Sequence, residues 1–179
     1  MSNSNFRTIP VRAPDTAKDP RPMTVTSDSF ADGETIPNAF VFTGCGGQNQ
    51  SPQLSWSGVP NGAKSFAITC FDPDAPTGCG YWHWVTFNLP AHTTSIVAGS
   101  GTDKSPAGGR SGYNDFGATA YAGPCPPKGD SAHTYVFTVY ALDVESVAGA
   151  DERTTGATLL FKMRGHVLAS GSLSGRFGH

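Results

Sequence analysis

The chain contains no run of eighteen apolar residues, which excludes a membrane-spanning helix of ordinary length. It has no block of lysine and arginine: 12 basic residues stand against 14 acidic ones, for a formal net charge of −2. Neither a nucleic-acid footprint nor a polybasic membrane patch is expected from that balance. There is no phosphate-cradling Walker loop and no dinucleotide fingerprint. Gly44-Cys45-Gly46-Gly47 has the wrong spacing and is not set before a helix. No Gly-x-Ser-x-Gly elbow is present, and Ser172-Leu173-Ser174-Gly175 does not replace it. Residues 1–21 lack the apolar segment of a secretory leader, which gives the expectation of a cytoplasmic protein. Among the 4 cysteines, Cys45, Cys70, Cys79 and Cys125, no pair has CxxC spacing. With a cytoplasmic address they are expected as thiols, a disulfide being the alternative and a zinc site the least favoured.

What is present describes a loop-rich β protein. A length of 179 residues suits one domain with a real core. We place that domain at 23–179, after a polar, proline-punctuated arm over 1–22. Gly 22 and Pro 14 together make about a fifth of the chain. Between them lie short β-branched and aromatic runs at 23–27, 65–71, 83–89 and 133–142. In 65–71, Phe66, Ile68 and Cys70 fall on one face. In 83–89, His83, Val85, Phe87 and Leu89 alternate with Trp84, Thr86 and Asn88. The pattern predicts a mainly β fold, an antiparallel β-sandwich with one or two short helices. The helical spacing of Leu159, Met163, His166 and Val167 predicts a helix over 158–170, with Thr154 or Thr155 capping a shorter turn before it. A second helical turn is expected at 144–148. The long connection 95–121 is unusual for a compact domain unless it is functional or packed as an excursion.

The densest chemistry lies in Phe71-Asp72-Pro73-Asp74-Ala75-Pro76, followed at once by Tyr81-Trp82-His83-Trp84. Each proline fixes φ and lacks an N–H, and each residue before a proline is pushed out of the helical region. The segment is therefore a stiff loop that holds Asp72 and Asp74 in place. Asp74, flanked by prolines, has a turn-forming role as its alternative to ligand binding. Imidazole can donate to phosphate oxygens and take up a proton when an anion binds. A neighbouring carboxylate fixes its tautomer and raises its pKa. Asp72, His83 and His133 together suit a phosphate or phosphomonoester, with backbone N–H groups near Gly123 and Gly129 as further donors. His92, His166 and His179 are expected in structural or solvent roles, and Trp56, Trp82 and Trp84 in core and wall.

Asp72 to Pro76, Trp82-His83-Trp84, Gly123-Pro124-Cys125-Pro126-Pro127-Lys128-Gly129 and His133-Thr134-Tyr135-Val136-Phe137 resemble the phosphatidylethanolamine-binding protein family. The resemblance is to its bacterial YbhB/YbcL, or Raf-kinase-inhibitor-like, branch. It runs from about Met23 to Phe177. It implies a small conical pocket for phosphate or phosphoethanolamine, lined by Asp72, Asp74, Pro76, His83, Gly123, Pro124, His133 and Tyr135. It also implies that the segment Tyr113-Asn114-Asp115-Phe116-Gly117 forms part of the rim. The sequence departs from the family at Thr134, where an arginine is usual. On an alternating strand that position points away from His133, and its change is expected to alter local ion pairing.

The resemblance further implies a regulatory or inhibitory module, with a kinase or protease as protein partner and a homodimer as assembly. No metal or cofactor is expected. The alternative is an enzyme, or an inhibitor acting through the same pocket. Two histidines and a carboxylate also make the ligand set of non-haem iron oxygenases, but the His-x-Asp pair of those sites is absent. Catalysis is not supported by spacing.

Overall fold

The computed structural model describes residues 22–103 and 105–179. The expected arm over 1–22 lies, except for Pro22, outside the described residues. Two antiparallel sheets are present, as the sequence pattern predicts. The smaller has the order β1-β2-β5, from β1 (Thr24–Thr26), β2 (Leu54–Ser57) and β5 (Ser95–Ile96). The larger has the order β6-β4-β3-β7-β8. Its strands are β3 (Ser65–Asp72), β4 (Tyr81–Pro90), β6 (Arg110–Ser111), β7 (His133–Leu142) and β8 (Val167–Phe177). One α-helix, α1 (Gly156–Met163), lies on the far face of the larger sheet.

The sheet alternation sorts side chains into two cores. Along β7, Tyr135, Phe137, Val139 and Ala141 enter the core between the sheets, while Tyr140 and Leu142 enter the core beneath α1. β3 does the same with Phe66, Ile68 and Cys70 against Ala67 and Phe71. The smaller sheet contributes Val25, Leu54, Trp56 and Ile96 to the first core, and the helix gives Leu159 and Met163 to the second. Each such fully buried large side chain contributes about 1.5–3 kcal/mol.

β4 departs from the simple alternation expected for it. Trp84 and Leu89 face the core between the sheets, whereas Val85 and Phe87 face α1. Two irregularities in the pairing with β3 are responsible. Phe71 pairs with Trp82 and Cys70 with Trp84, so His83 is the extra residue of a bulge. The second lies between Phe66 and Ile68 and holds Asn88 at φ 58°, a left-handed conformation that asparagine tolerates.

The helix expected over 158–170 ends at Met163. Gly165 at φ 86° turns the chain, and 167–177 forms β8, antiparallel to β7. Thr155 is the cap, its side chain accepting from the Thr158 N–H. The turn expected at 144–148 is not helical; there the Val147 N–H donates to the Asn88 side chain. The outer edge of β8 is covered by the chain's own early segment. Met23 N–H donates to Ser170, Gly33 N–H to Ser174 and Ile36 N–H to Arg176, while Arg176 N–H donates to Glu34.

The cysteine expectation is also corrected. Cys45 and Cys125 form a disulfide across 80 residues, with Cα atoms 5.6 Å apart. Cys70 and Cys79 are free, the first buried and the second exposed. The Phe42 N–H donates to the Pro124 carbonyl and draws the two segments together. No local spacing announces a pairing made by topology. The thiol reading took the cytoplasmic expectation as its premise.

Candidate functional site

The C-terminal end of β3 lies between the N-terminal ends of its antiparallel neighbours β4 and β7. Asp72, His83, His133 and Tyr135 are thereby gathered at one end of the larger sheet, although 63 positions separate the first and last in sequence. All four are buried. The bulge at His83 explains its placement. The extra residue turns the imidazole toward Tyr135, with ring centroids 5.1 Å apart in edge-on contact.

The Asp-Pro-Asp turn fixes Asp72. Its Oδ1 accepts from the Asp74 N–H at 2.8 Å and the Ala75 N–H at 3.1 Å. That leaves Oδ2 for His133 Nδ1, which donates to it at 2.8 Å. Asp72 is thus the residue that ties its own loop by accepting local N–H groups, the part weighed for Asp74. Asp74 instead accepts from the Thr134 N–H at 2.7 Å and so ties the turn to β7. Pro76 is exposed on the turn.

His83 Nδ1 donates to the Ala122 carbonyl at 2.8 Å. Both histidines therefore have Nδ1 occupied by an oxygen acceptor, which fixes the tautomer of each neutral ring with Nε2 left as an acceptor. Burial holds His83 below its ordinary value of 6.5, against the opposing pull of the Ala122 carbonyl and the charges of Asp72 and Asp115. In the absence of a ligand His83 thus favours the neutral form, the reverse of the upward shift expected from a nearby carboxylate. The Tyr135 hydroxyl is buried without a hydrogen bond, although Asp72 and the Cys125 backbone lie near it. Burial, reinforced by the Asp72 charge, pushes this phenol well above its ordinary 10.0. It stays protonated and is a hydrogen-bond donor with no partner. Buried polar groups of this kind are rare.

The segment carrying Gly123 and Pro124 packs against 40–42. A Cβ on Gly123 would stand 2.2 Å from the Phe40 carbonyl oxygen, so only glycine fits. Its N–H is not a free donor, contrary to expectation, because it donates to Asn49 Oδ1 at 2.8 Å. The carbonyl of Pro124 accepts from Phe42. His179 Nε2 lies 3.1 Å from the Pro126 carbonyl and 3.6 Å from Cys45 Sγ, a structural contact at the bridge.

Asn49 and Asp130 carry no clear signal in the sequence, while Asp115 and Phe116 belong to the rim segment expected by resemblance. Asn49 sits at φ 55° and secures Gly123 from 74 residues away. Asp115 Oδ2 accepts from the Trp82 N–H at 2.7 Å, which anchors the expected rim segment to β4. Beside it Phe116 makes ring contacts with Phe42, Tyr81 and His83 at 4.9, 5.1 and 5.3 Å. The aromatic residues beside Asp115 and His83 were the available hint. Asp130 has its carboxylate 3.5 Å from His133 Nε2. Among the described residues no cluster of three side chains is arranged to hold a metal ion.

The family model for phosphatidylethanolamine-binding protein matches residues 26–178. The chain belongs to the phosphatidylethanolamine-binding protein family. UPF0098 protein YbhB of Escherichia coli is 47% identical over 159 residues, which cover 87% of this chain and 99% of YbhB. UPF0098 protein YbcL of the same organism is 43% identical over 155 residues, 84% of each chain. The crystal structure of E. coli YbcL, described as a member of the mammalian PEBP family, superposes with a TM-score of 0.84 at 41% identity. It covers 89% of this chain and 99% of that one. The family expectation drawn from Asp72 to Pro76, Trp82-His83-Trp84 and the two later motifs holds, as does the mainly β fold.

Proposed function

We propose that this end of the sheet is a pocket for a small phosphate-bearing ligand of the phosphoethanolamine type. The domain then acts as a regulatory or inhibitory module rather than as a catalyst of turnover. One observation carries the reading. The bonded Asp72–His133 pair, His83 and the unpartnered Tyr135 hydroxyl converge in a buried, aromatic-walled place. Each Nε2 can accept from a phosphate hydroxyl, or take up its proton and donate to the phosphate oxygen. The Tyr135 hydroxyl supplies a further donor. Hydrogen bonds are stronger in such a setting than in water.

The same chemistry argues against covalent catalysis. Cys125 is held in a disulfide, and burial together with the Asp72 charge pushes the Cys70 thiol upward, so neither is a nucleophile. Tyr135 stays protonated for the same reason. A protein partner that reads the occupied state would find Tyr113 and Phe116 partly exposed along the rim segment.

Calorimetric titration with phosphoethanolamine tests the reading. Saturable heat is expected for the native protein, and at least a tenfold loss of affinity for His133→Ala, since a charge-assisted hydrogen bond contributes roughly 1.5–3 kcal/mol. NMR should show the His83 and His133 imidazoles shifting together. Absence of heat, with both imidazoles unmoved, would refute the proposal.

A further inference from the structure

The charge around the two histidines is the wrong sign for a simple phosphate site. Asp72 lies on His133 Nδ1, Asp130 lies 3.5 Å from His133 Nε2, and the charges of Asp72 and Asp115 both act on His83. Among the described residues no lysine or arginine pairs with Asp72, Asp115 or Asp130. Anion sites ordinarily place cations or helix N-termini where this one places carboxylates.

Asp130 is the informative member. Asp72 is committed to three donors and Asp115 Oδ2 to the Trp82 N–H. The Asp130 N–H donates to the Pro127 carbonyl, and Gly129 before it sits at φ 97°, so the turn delivers this carboxylate to His133. Its side chain is 41% exposed, against 4% for His133. It therefore stands on the solvent side of the buried imidazole. At 3.5 Å the Asp130 carboxylate crowds, without hydrogen-bonding it, the nitrogen that a phosphate oxygen would need, and the contact is attractive only when that nitrogen carries a hydrogen. An incoming phosphate must displace Asp130 and then remain close to its negative charge.

Resting on the phosphate-pocket reading above, we propose that Asp130 is the charge-selecting residue of this site. It disfavours a bare phosphate dianion at His133 Nε2 and favours a phosphoester that carries its own ammonium group, which the displaced carboxylate then faces. The selected class is zwitterionic phosphoesters. At a partly solvated position about 4 Å from the ligand, one unit of charge is worth roughly a five- to tenfold change in affinity for each charged group it meets.

The test compares ethyl phosphate with phosphoethanolamine, which differ by the ammonium group. Dissociation constants are measured by calorimetry at low ionic strength for the native protein, Asp130→Asn and Asp130→Glu. The native protein should prefer phosphoethanolamine. Asp130→Asn should bind ethyl phosphate and inorganic phosphate more tightly, and the preference for phosphoethanolamine should fall at least fivefold. Asp130→Glu should restore it. A merely structural role would shift every ligand by one common factor. Glycerophosphoethanolamine with glycerophosphate as its partner extends the comparison from a free monoester to a phosphodiester head group; an ammonium preference lost in Asp130→Asn within either ester class supports the inference. A preference equal within twofold in native protein and Asp130→Asn overturns it while leaving the phosphate pocket intact. If no phosphate compound binds either protein, both the pocket reading and this inference fall.

Discussion

Breaking the Cys45–Cys125 bridge should lower stability by a large and calculable amount. The cross-link closes 80 residues of chain. Closing a loop of that length removes on the order of 4–5 kcal/mol of conformational entropy from the unfolded chain. Residual structure in the unfolded ensemble reduces the effect, so about 2–4 kcal/mol is expected. For a domain of this size each kcal/mol moves the melting midpoint by about 2–4 °C, which gives a fall of roughly 5–15 °C. The perturbation is Cys45→Ser together with Cys125→Ser, made in a Cys79→Ser background because Cys79 is exposed and free to exchange. Thermal melts of the two proteins, repeated with a phosphine reductant, provide the assay. The reductant should move the bridged protein toward the double variant and leave the variant unchanged. A double variant melting within about 2 °C of its parent would refute the loop-closure reasoning. Ala122, whose carbonyl holds His83, lies just before Cys125, so the variant should bind phosphoethanolamine more weakly through a less well oriented His83.

Two further outcomes follow from the site. Asp72→Asn keeps the shape but replaces one acceptor oxygen with a donor amide, facing either His133 Nδ1 or the loop N–H groups. It should cost about 1–3 kcal/mol in urea unfolding and abolish binding through loss of the His133 tautomer; a stability equal to the native protein's would count against the network. His83, held below 6.5 by burial, is neutral in the folded protein over a range where the unfolded chain takes up a proton. Its contribution is therefore complete above pH 6.5 and is lost as pH falls from 6.5 toward the folded value. Stability should decline over that window and less so in His83→Gln, while binding near neutral pH should be accompanied by proton uptake measurable as a buffer-dependent heat.

The sequence made the frame of the fold legible where one side-chain rule dominated. β7 carries a single alternating pattern and has the bounds read from it. Asp72 and His133 were legible because prolines leave the first loop no regular structure to adopt. The second half of the expected helix failed for an identifiable reason. Val167, Leu168 and Ala169 satisfy a helical period, but the glycine and serine positions after them serve close strand contact. A Cβ on Gly171 would stand 2.2 Å from the Met23 carbonyl oxygen, and one on Gly175 would stand 2.4 Å from Ile36. These partners lie over 130 residues away, so no local window contains the reason. The same holds for Asn49 with Gly123 and for Cys45 with Cys125. His83 was legible as a site residue but not as a bulge, because its extra count exists only relative to β3.

The covered rim of β8 bears on how two copies of this domain could meet. Unsatisfied N–H and C=O groups on an outer strand invite another chain to extend the sheet. Here that invitation is withdrawn on one side by the segment 23–36, which already bonds along β8. On the opposite side the last strand, β6, is only two residues long. Among the described residues, extension of the larger sheet by another chain is therefore disfavoured at both of its edges. A homodimer of the kind expected by resemblance would then leave the larger sheet unextended and rest on side chains and loops, where single substitutions can separate the copies without touching that sheet.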